Sequence, residues 1–432
     1  AWNENPLTAA PISQPTDPSP PSAPRRQPAM GFIMAVVLID MMAVGLIVPV
    51  LPAIVGQFAK DPADQSTWYG VLSTVYALAT FFGAPVLGAM SDRYGRRPIL
   101  LIGFCGVAIN FFVTALATSM WMLVASRVVG GAMQANAAVA NAYVADITEP
   151  EQRARRFGML GAMFGIGFIL GPVIGGILGG IDLRLPFFVA GTLALVNLVY
   201  GIVVLPESLP AERRRVMHWK QINPLASLKQ LAELRGVGLL VAVLACCGLA
   251  QFTMYTVWVL HNTFKFGWGP SENGWSLFAV GIVSAVVQGG LLGRLLKVTT
   301  PQKLAVWGLV SSTLAFALWG ASTQPWMMYV IIFANLLGAT VAATMQSLIS
   351  SAADGTRQGQ TMGAVSSLNS LTAVLAPVVA SPLLAAVSHY PQGDWRIGTP
   401  FFFCALLQSV ALLLAVIHFR RHRRAELAAT PT

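Results

Sequence analysis

Twelve predominantly apolar stretches, each about as long as a bilayer is thick, decide what this chain can become. A helix rises about 1.5 Å per residue, so about 20 apolar residues cross a hydrocarbon layer ~30 Å deep. Runs of that length fall near residues 31–58, 66–90, 98–118, 120–146, 157–180 and 185–205. Six more fall near 236–263, 272–296, 302–321, 325–352, 359–388 and 398–419. Charged residues make up 10% of the chain and hydrophobic ones 55%, whereas a soluble domain carries roughly 25% charged residues. Too little charge is present to cover a water-soluble fold of 432 residues. The expected class is an all-α integral membrane protein with twelve transmembrane helices.

The longest internal polar interval divides the runs six and six, which predicts two six-helix bundles around a central cavity. The domain reading follows: a Pro-rich disordered tail over 1–30, an N-terminal bundle over 31–205 and a C-terminal bundle over 236–419. A linker over 206–235 carries an amphipathic stretch, Ile222 to Leu234, suited to a membrane surface. A basic tail closes the chain over 420–432.

Twelve crossings put both ends on one side, and the basic residues say which. If the ends are cytoplasmic, all of the 27 Lys and Arg lie inside except Lys60, Arg184, Lys265 and Arg396, outside, and Arg127, within the membrane. That is the positive-inside asymmetry. It assigns both termini to the cytoplasm of a bacterial-type inner membrane and accounts for the net charge of +10 through topology and anionic lipid, not nucleic acid.

The most specific segment is Gly88-Ala-Met-Ser-Asp92-Arg93-Tyr-Gly95-Arg96-Arg97. Two glycines permit close approach and a tight turn, and one carboxylate sits among three guanidinium groups. Asp40 is the acid placed well inside a membrane run. A charge there costs at least ~2.5–3.5 kcal/mol, so such a residue is partnered, faces a wet cavity, or is carried neutral. Arg127 is the matching cation in the fourth run. The fifth carries Gly161, Gly165, Gly171-Pro172 and Gly175-Gly176, a pattern that strips side chains from a helix face and perturbs the helix at Pro172. Uncharged polar candidates for the cavity are Asn110, Asn136, Asn141, Gln251, Gln288, Gln346 and Asn369, with Trp258 beside them.

The 88–97 segment resembles the loop signature of the major facilitator superfamily. The fifth-run glycines are similar to the antiporter motif of its twelve-helix drug/proton exporters. Leu38-Ile39-Asp40 with Gly45 to Pro52, and Thr256 to Leu260 followed by Phe266-Gly267-Trp268, resemble the tetracycline/proton antiporters. The resemblance runs from about residue 30 to 415. It implies that Asp92 and Arg96 are the acid and Arg of the loop, that Asp146 pairs with that Arg, and that these charges form a conformational latch with Gly88, Arg93, Gly95 and Arg97. It also implies that Arg127 influences the affinity of Asp40 for the proton. Where the tetracycline antiporters carry an Asp, a His and a further Asp, this chain has Asn110, Ser284 and Ser311 or Ser312, none of which titrates near neutral pH.

The expected function is export of a small amphiphilic compound, a drug or metabolite with tetracycline-like compounds among the candidates, in exchange for protons by alternating access. The expected partners are that substrate, protons and anionic lipid, and the expected state is a monomer. Two alternatives stand beside it: proton-coupled import of a nutrient or siderophore, and a non-transporting sensor on the same scaffold. No enzyme chemistry is expected, because no nucleophile–base set appears. No cofactor or metal is expected either, because no His pair has ligand spacing.

Overall fold

The computed structural model describes residues 30–134, 136–214, 238–352 and 358–429. The tail before residue 30, the Ile222–Leu234 stretch, and linker residues 215–235 lie outside the described residues. Among the described residues there is no strand.

The first span is Met30–Ile47 continued by Leu51–Gly56, with Pro49 and Pro52 at the break. The second and third are Pro62–Tyr94 and Arg96–Ala115, and the fifth and sixth are Arg153–Ile181 and Leu185–Val204. The seventh, Gly238–Phe266, and eighth, Pro270–Val298, are followed by Pro301–Ala321 as the ninth. Gln358–Val387 and Thr399–Ala429 are the eleventh and twelfth. Local chemistry sets several starts. Asp61 accepts from the Asp64 amide at 2.8 Å just ahead of Pro62, and Thr300 caps the ninth span ahead of Pro301.

Two of the expected runs are not single straight helices. The fourth is divided into Met120–Ala132 and Asn136–Ile147, so neither piece alone is long enough to cross. The tenth is Pro325–Ala334 and Gly338–Ser351, bent by 54°. Among the described residues, ten helices are long and apolar enough to span, eleven with the bent pair counted once, and the divided fourth run stands where the twelfth is expected. The eighth span contains a π turn over Val287–Leu291, where one extra residue per turn widens the helix.

The core shows how the two bundles meet. In the half far from the termini, one apolar cluster runs through both bundles, from Leu46, Leu72 and Phe111 to Trp258, Phe316 and Phe401. In the half near the termini it splits. One cluster there is built only from the first six spans, around Phe32, Leu100 and Tyr143, and another only from the last six, around Leu240, Met345 and Ile349.

Helix periodicity gives the same picture. A methyl group built on Gly70 would run into Ser381 of the eleventh span, and one on Gly176 would lie 3.0 Å from Cα of Gly274 in the eighth. Eighteen residues are five turns of an α-helix, so Gly88, Gly363 and Gly158 lie on the same faces as Gly70, Ser381 and Gly176. All three have nothing within 4 Å. Among the described residues, the bundles are therefore in contact at the far face and apart toward the face that carries the termini.

Candidate functional site

Asp40 sits seven residues before Ile47, where the first half of its span ends. The tight packing of the first span on the fifth fixes its direction: Gly45 lies against Gly171, and Gly175 against the Leu46 carbonyl. Asp40 is buried, 6% exposed, and its carboxyl points into the N-terminal bundle. There it borders a chamber of about 10 Å³ with Val36, Val37, Leu100, Phe104, Asn136, Ala140 and Phe164. That volume suits about one water molecule. The amide of Asn136 comes near the carboxyl, yet its Nδ2 makes no hydrogen bond. Among the described residues Asp40 has no salt-bridge partner. Of the three ways to keep an acid in a membrane run, the ion pair is not seen, and the pocket beside the carboxyl is lined by residues of the N-terminal bundle.

Arg127 is buried as well, 4% exposed, in the same bundle. Its Nη2 donates to Thr114 Oγ1 at 3.5 Å, its Nε is unpartnered, and its guanidinium carbon lies 5.7 Å from the Tyr76 ring centre. The Tyr76 hydroxyl donates to Gln134 Oε1 at 2.8 Å. Gln134 lies in the break of the fourth span. Arg127 and Asp40 do not form an ion pair. Sequence reasoning had no signal for Tyr76 or Gln134, because one is an ordinary aromatic of an apolar run and the other an ordinary amide.

At the face that carries the termini, the loop residues converge as follows. Gly95 has φ of 108°, a left-handed turn that favours glycine. Arg96 then folds back: Nη1 meets Asp92 Oδ1 at 2.6 Å and Ser91 Oγ at 2.7 Å, and Nε meets Asp146 Oδ2 at 3.0 Å. Arg97 Nη2 donates to the Ile202 carbonyl at 2.8 Å, while Arg93 lies 5.1 Å from the Tyr94 ring centre. Gly88 faces open space. A further acid completes the cluster. Glu207 accepts from the Arg96 amide at 2.8 Å and the Arg97 amide at 3.3 Å, capping the third span. It stands 111 residues from Arg96, beyond the reach of any local motif. All of these partners belong to the N-terminal bundle except Glu207, which stands at the start of the linker.

The fifth-span glycines divide by role. Gly171 and Gly175 pack on the first span together with Gly167, whose added methyl would lie 2.8 Å from the Leu38 carbonyl. Gly176 packs on the eighth span, and Pro172 lies against both Gly45 and Gly274. A methyl on Gly161 or Gly165 would meet no neighbouring described residue within 4 Å. The expected single seam is thus a contact half and an open half.

The polar candidates scatter. Asn110 and Asn136 are buried between the third and fourth spans, where Asn110 lies over Gly130 and Asn136 over Gly103. Trp258 is 1% exposed and donates to Ser276 Oγ at 2.9 Å, stacked edge-on against Trp319. It belongs to the C-terminal core, so its place among the cavity residues is corrected. Gln251 is a hydrogen-bond partner of Tyr255 on the next turn of the seventh span. Asn141, Gln288, Gln346 and Asn369 are exposed. Lys265, expected outside, is 1% exposed and donates to the Gly320 carbonyl at 2.7 Å, closing the end of the ninth span. Among the described residues, no three His, Cys, Asp or Glu side chains come together to hold a metal ion.

Comparison with known proteins agrees with this architecture. The sequence profile of the Major Facilitator Superfamily matches residues 33–309 and 261–432. The class C tetracycline resistance protein of Escherichia coli is 35% identical over 379 residues, covering 88% of this chain and 95% of that protein. The class D tetracycline resistance protein of Salmonella ordonez is 33% identical over 387 residues, covering 88% and 95%. Among solved structures, the nucleoside transporter NupG superposes with a TM-score of 0.73 at 13% identity, covering 90% of this chain and 98% of that one. This likeness concerns the fold alone. The chain is a multi-pass membrane transporter, not an enzyme, and it belongs to the major facilitator superfamily, similar within it to the tetracycline resistance proteins.

Proposed function

We propose that the protein exports a small amphiphilic compound in exchange for protons by alternating access. The observation that carries this reading is Asp40: a carboxyl buried in a membrane span, without an ion-pair partner, beside room for one water. An unpaired buried charge is costly, so a carboxyl kept in such a place is suited to alternate between its neutral and ionised forms. Resemblance to tetracycline resistance proteins supports export and makes tetracycline the first compound to try.

In the proposed cycle the face carrying the termini is cytoplasmic, as the basic residues argue, and the open cleft admits substrate from that side. Asp40 releases its proton inward during loading. Closure of that face and opening of the other deliver the substrate outside, and reprotonation of Asp40 from there resets the carrier. The Asp92–Arg96–Asp146 cluster holds the second, third and fourth spans together in the open state and thereby biases a two-state equilibrium. The basic cytoplasmic face rests on anionic lipid, and one chain suffices for the cycle.

The test is reconstitution into liposomes with an imposed pH gradient and a compound panel headed by tetracycline. Wild type is expected to move protons opposite to substrate, and Asp40→Asn is expected to move none. Proton movement in the same direction as substrate would turn the reading to import. Absence of any substrate-driven movement across the panel would favour a sensor.

A further inference from the structure

The fifth and eighth spans run antiparallel where the bundles touch, and their contacts keep one register. A methyl on Gly176 would lie 3.0 Å from Gly274 Cα, and one on Gly274 would lie 2.5 Å from the Pro172 carbonyl. Seven residues nearer the termini face on each helix, a methyl on Gly281 would lie 2.6 Å from Ile169 Cγ1. Seven steps along one helix thus match seven along the other. Beyond that point the spans part. A methyl on Gly158 of the fifth, or on Gly289, Gly290 or Gly293 of the eighth, would meet no neighbouring described residue within 4 Å.

Gly158 lies eleven residues from Ile169, and eleven residues from Gly281 an uninterrupted α-helix would present Leu292. The eighth span is interrupted there. In the π turn over Val287–Leu291 the Leu292 amide donates to the Val287 carbonyl five residues back. One extra residue rotates everything after it by about 100°, so Gly293 takes the place that Leu292 would have held. The Leu292 side chain follows that rotation. With Leu296 it lines a gap against Pro301 of the ninth span and Ala343, Thr344 and Ser347 of the tenth, inside its own bundle. Gly293 is left exposed, on the face that continues Gly274 and Gly281.

We propose that the π turn sets the register of the eighth span so that Gly293 meets Gly158 when the termini face closes. The two spans then join backbone on backbone, as Gly176 and Gly274 join them at the far face. This rests on the alternating-access reading above. Small residues on both partners let helix backbones approach closely; Leu292 at the same place would hold them apart. Gly289 and Gly290, inside the turn, add no side chain to the widened helix. Gly158 lies outside the Gly161–Gly176 pattern, and Gly293 becomes its partner only when the residues are counted through the turn.

The experiment is disulfide formation in liposomes, in the full chain with Cys105, Cys246, Cys247 and Cys404 replaced. Gly158→Cys with Gly293→Cys is expected to cross-link as the face closes. Gly158→Cys with Leu292→Cys is expected to stay reduced, because cysteines with Cα atoms over ~7 Å apart or with Cβ vectors pointing apart are not bridged. Deleting Gly290 removes the extra residue, and the preference is expected to reverse in favour of Leu292→Cys. Gly293→Leu serves as a second variant where the deletion does not fold. It keeps the turn, blocks the contact and is expected to abolish closure cross-linking of Gly88→Cys with Gly363→Cys, which Leu292→Ala leaves intact. Preference for the Leu292→Cys pair with the turn present, an unchanged preference after the deletion, or closure surviving Gly293→Leu would overturn the register role and leave alternating access standing. Failure of the Gly88→Cys and Gly363→Cys pair to cross-link in the parent chain would bring down both.

Discussion

Two carboxyls show how surroundings decide whether an acid can switch. Asp394, in the loop between the last two spans, is gripped by its neighbour. Arg396 gives it a backbone amide at 2.8 Å, Nε at 3.1 Å and Nη2 at 2.8 Å, and packs on Tyr390 at 3.6 Å. Hydrogen bonds from Arg396 hold the Asp394 carboxyl down at about 2. A folded value below the unfolded one means that the loop gains stability above the ordinary value of 3.8 and loses it only as pH falls toward about 2. At working pH Asp394 is always ionised and cannot carry the proton. Asp394→Asn is therefore expected to leave the pH dependence of transport unchanged. Asp40→Asn, in contrast, is expected to abolish gradient-driven accumulation. One charge moving through 100 mV is worth about 2.3 kcal/mol, so roughly a 50-fold concentration ratio would collapse to equality. Both outcomes are read from accumulation ratios across a pH series, and a pH-driven ratio surviving in Asp40→Asn would remove Asp40 from the scheme.

Within the spans, the glycines of the fifth divide into those that bear contact and those with open space beside them. A methyl on Gly171 would lie 2.7 Å from Cα of Gly45, and backbone cannot yield as a side-chain tip does. Gly165 has open space. Gly171→Ala is thus expected to lower thermal stability and yield of folded protein, with a cost of about 1–3 kcal/mol typical of overpacking. Gly165→Ala should leave both close to wild type; equal effects at the two positions would refute the division. From sequence alone the two are alike, since both belong to one motif. What the sequence made legible were features written locally: the apolar runs, the asymmetry of Lys and Arg, the acid inside the first span, and the Gly88–Arg97 loop. What it hid depends on distant partners. Glu207 caps a helix that begins 111 positions earlier, and Lys265 closes a helix end 55 residues away. The breaks in the fourth and tenth spans are marked only by single polar residues, Gln134 and Asn136 in one and Asn335 in the other, within otherwise apolar runs. The direction in which Asp40 points was hidden too, because a span apolar on all sides gives no amphipathic stripe to orient it.

For the whole molecule, the proposed alternating access makes the described state one end of a motion, in which the contacts between the bundles at the far face would have to part. At the far face the second span meets the eleventh: Ser66 Oγ donates to the Ser381 carbonyl at 3.0 Å, and Gly70 abuts the Ser381 side chain. The fifth meets the eighth through Gly176 and Gly274 and through Ile169 and Gly281. Five turns along the same helices, a methyl on Gly88, Gly158 or Gly363 would meet no neighbouring described residue within 4 Å. If alternating access is the mechanism, the far-face contacts separate as the near-face gap closes, and a bond across the far face stops the cycle. With Cys105, Cys246, Cys247 and Cys404 replaced, the pair Gly70→Cys and Ser381→Cys is expected to oxidise readily. Transport should then fall to background and return on reduction. The pair Gly88→Cys and Gly363→Cys should resist direct oxidation in the open state and cross-link only in molecules that have closed at the termini face, a fraction that substrate and pH shift. Continued transport with the far face covalently shut would mean that the two bundles do not rock about this interface, and the substrate would need another way through.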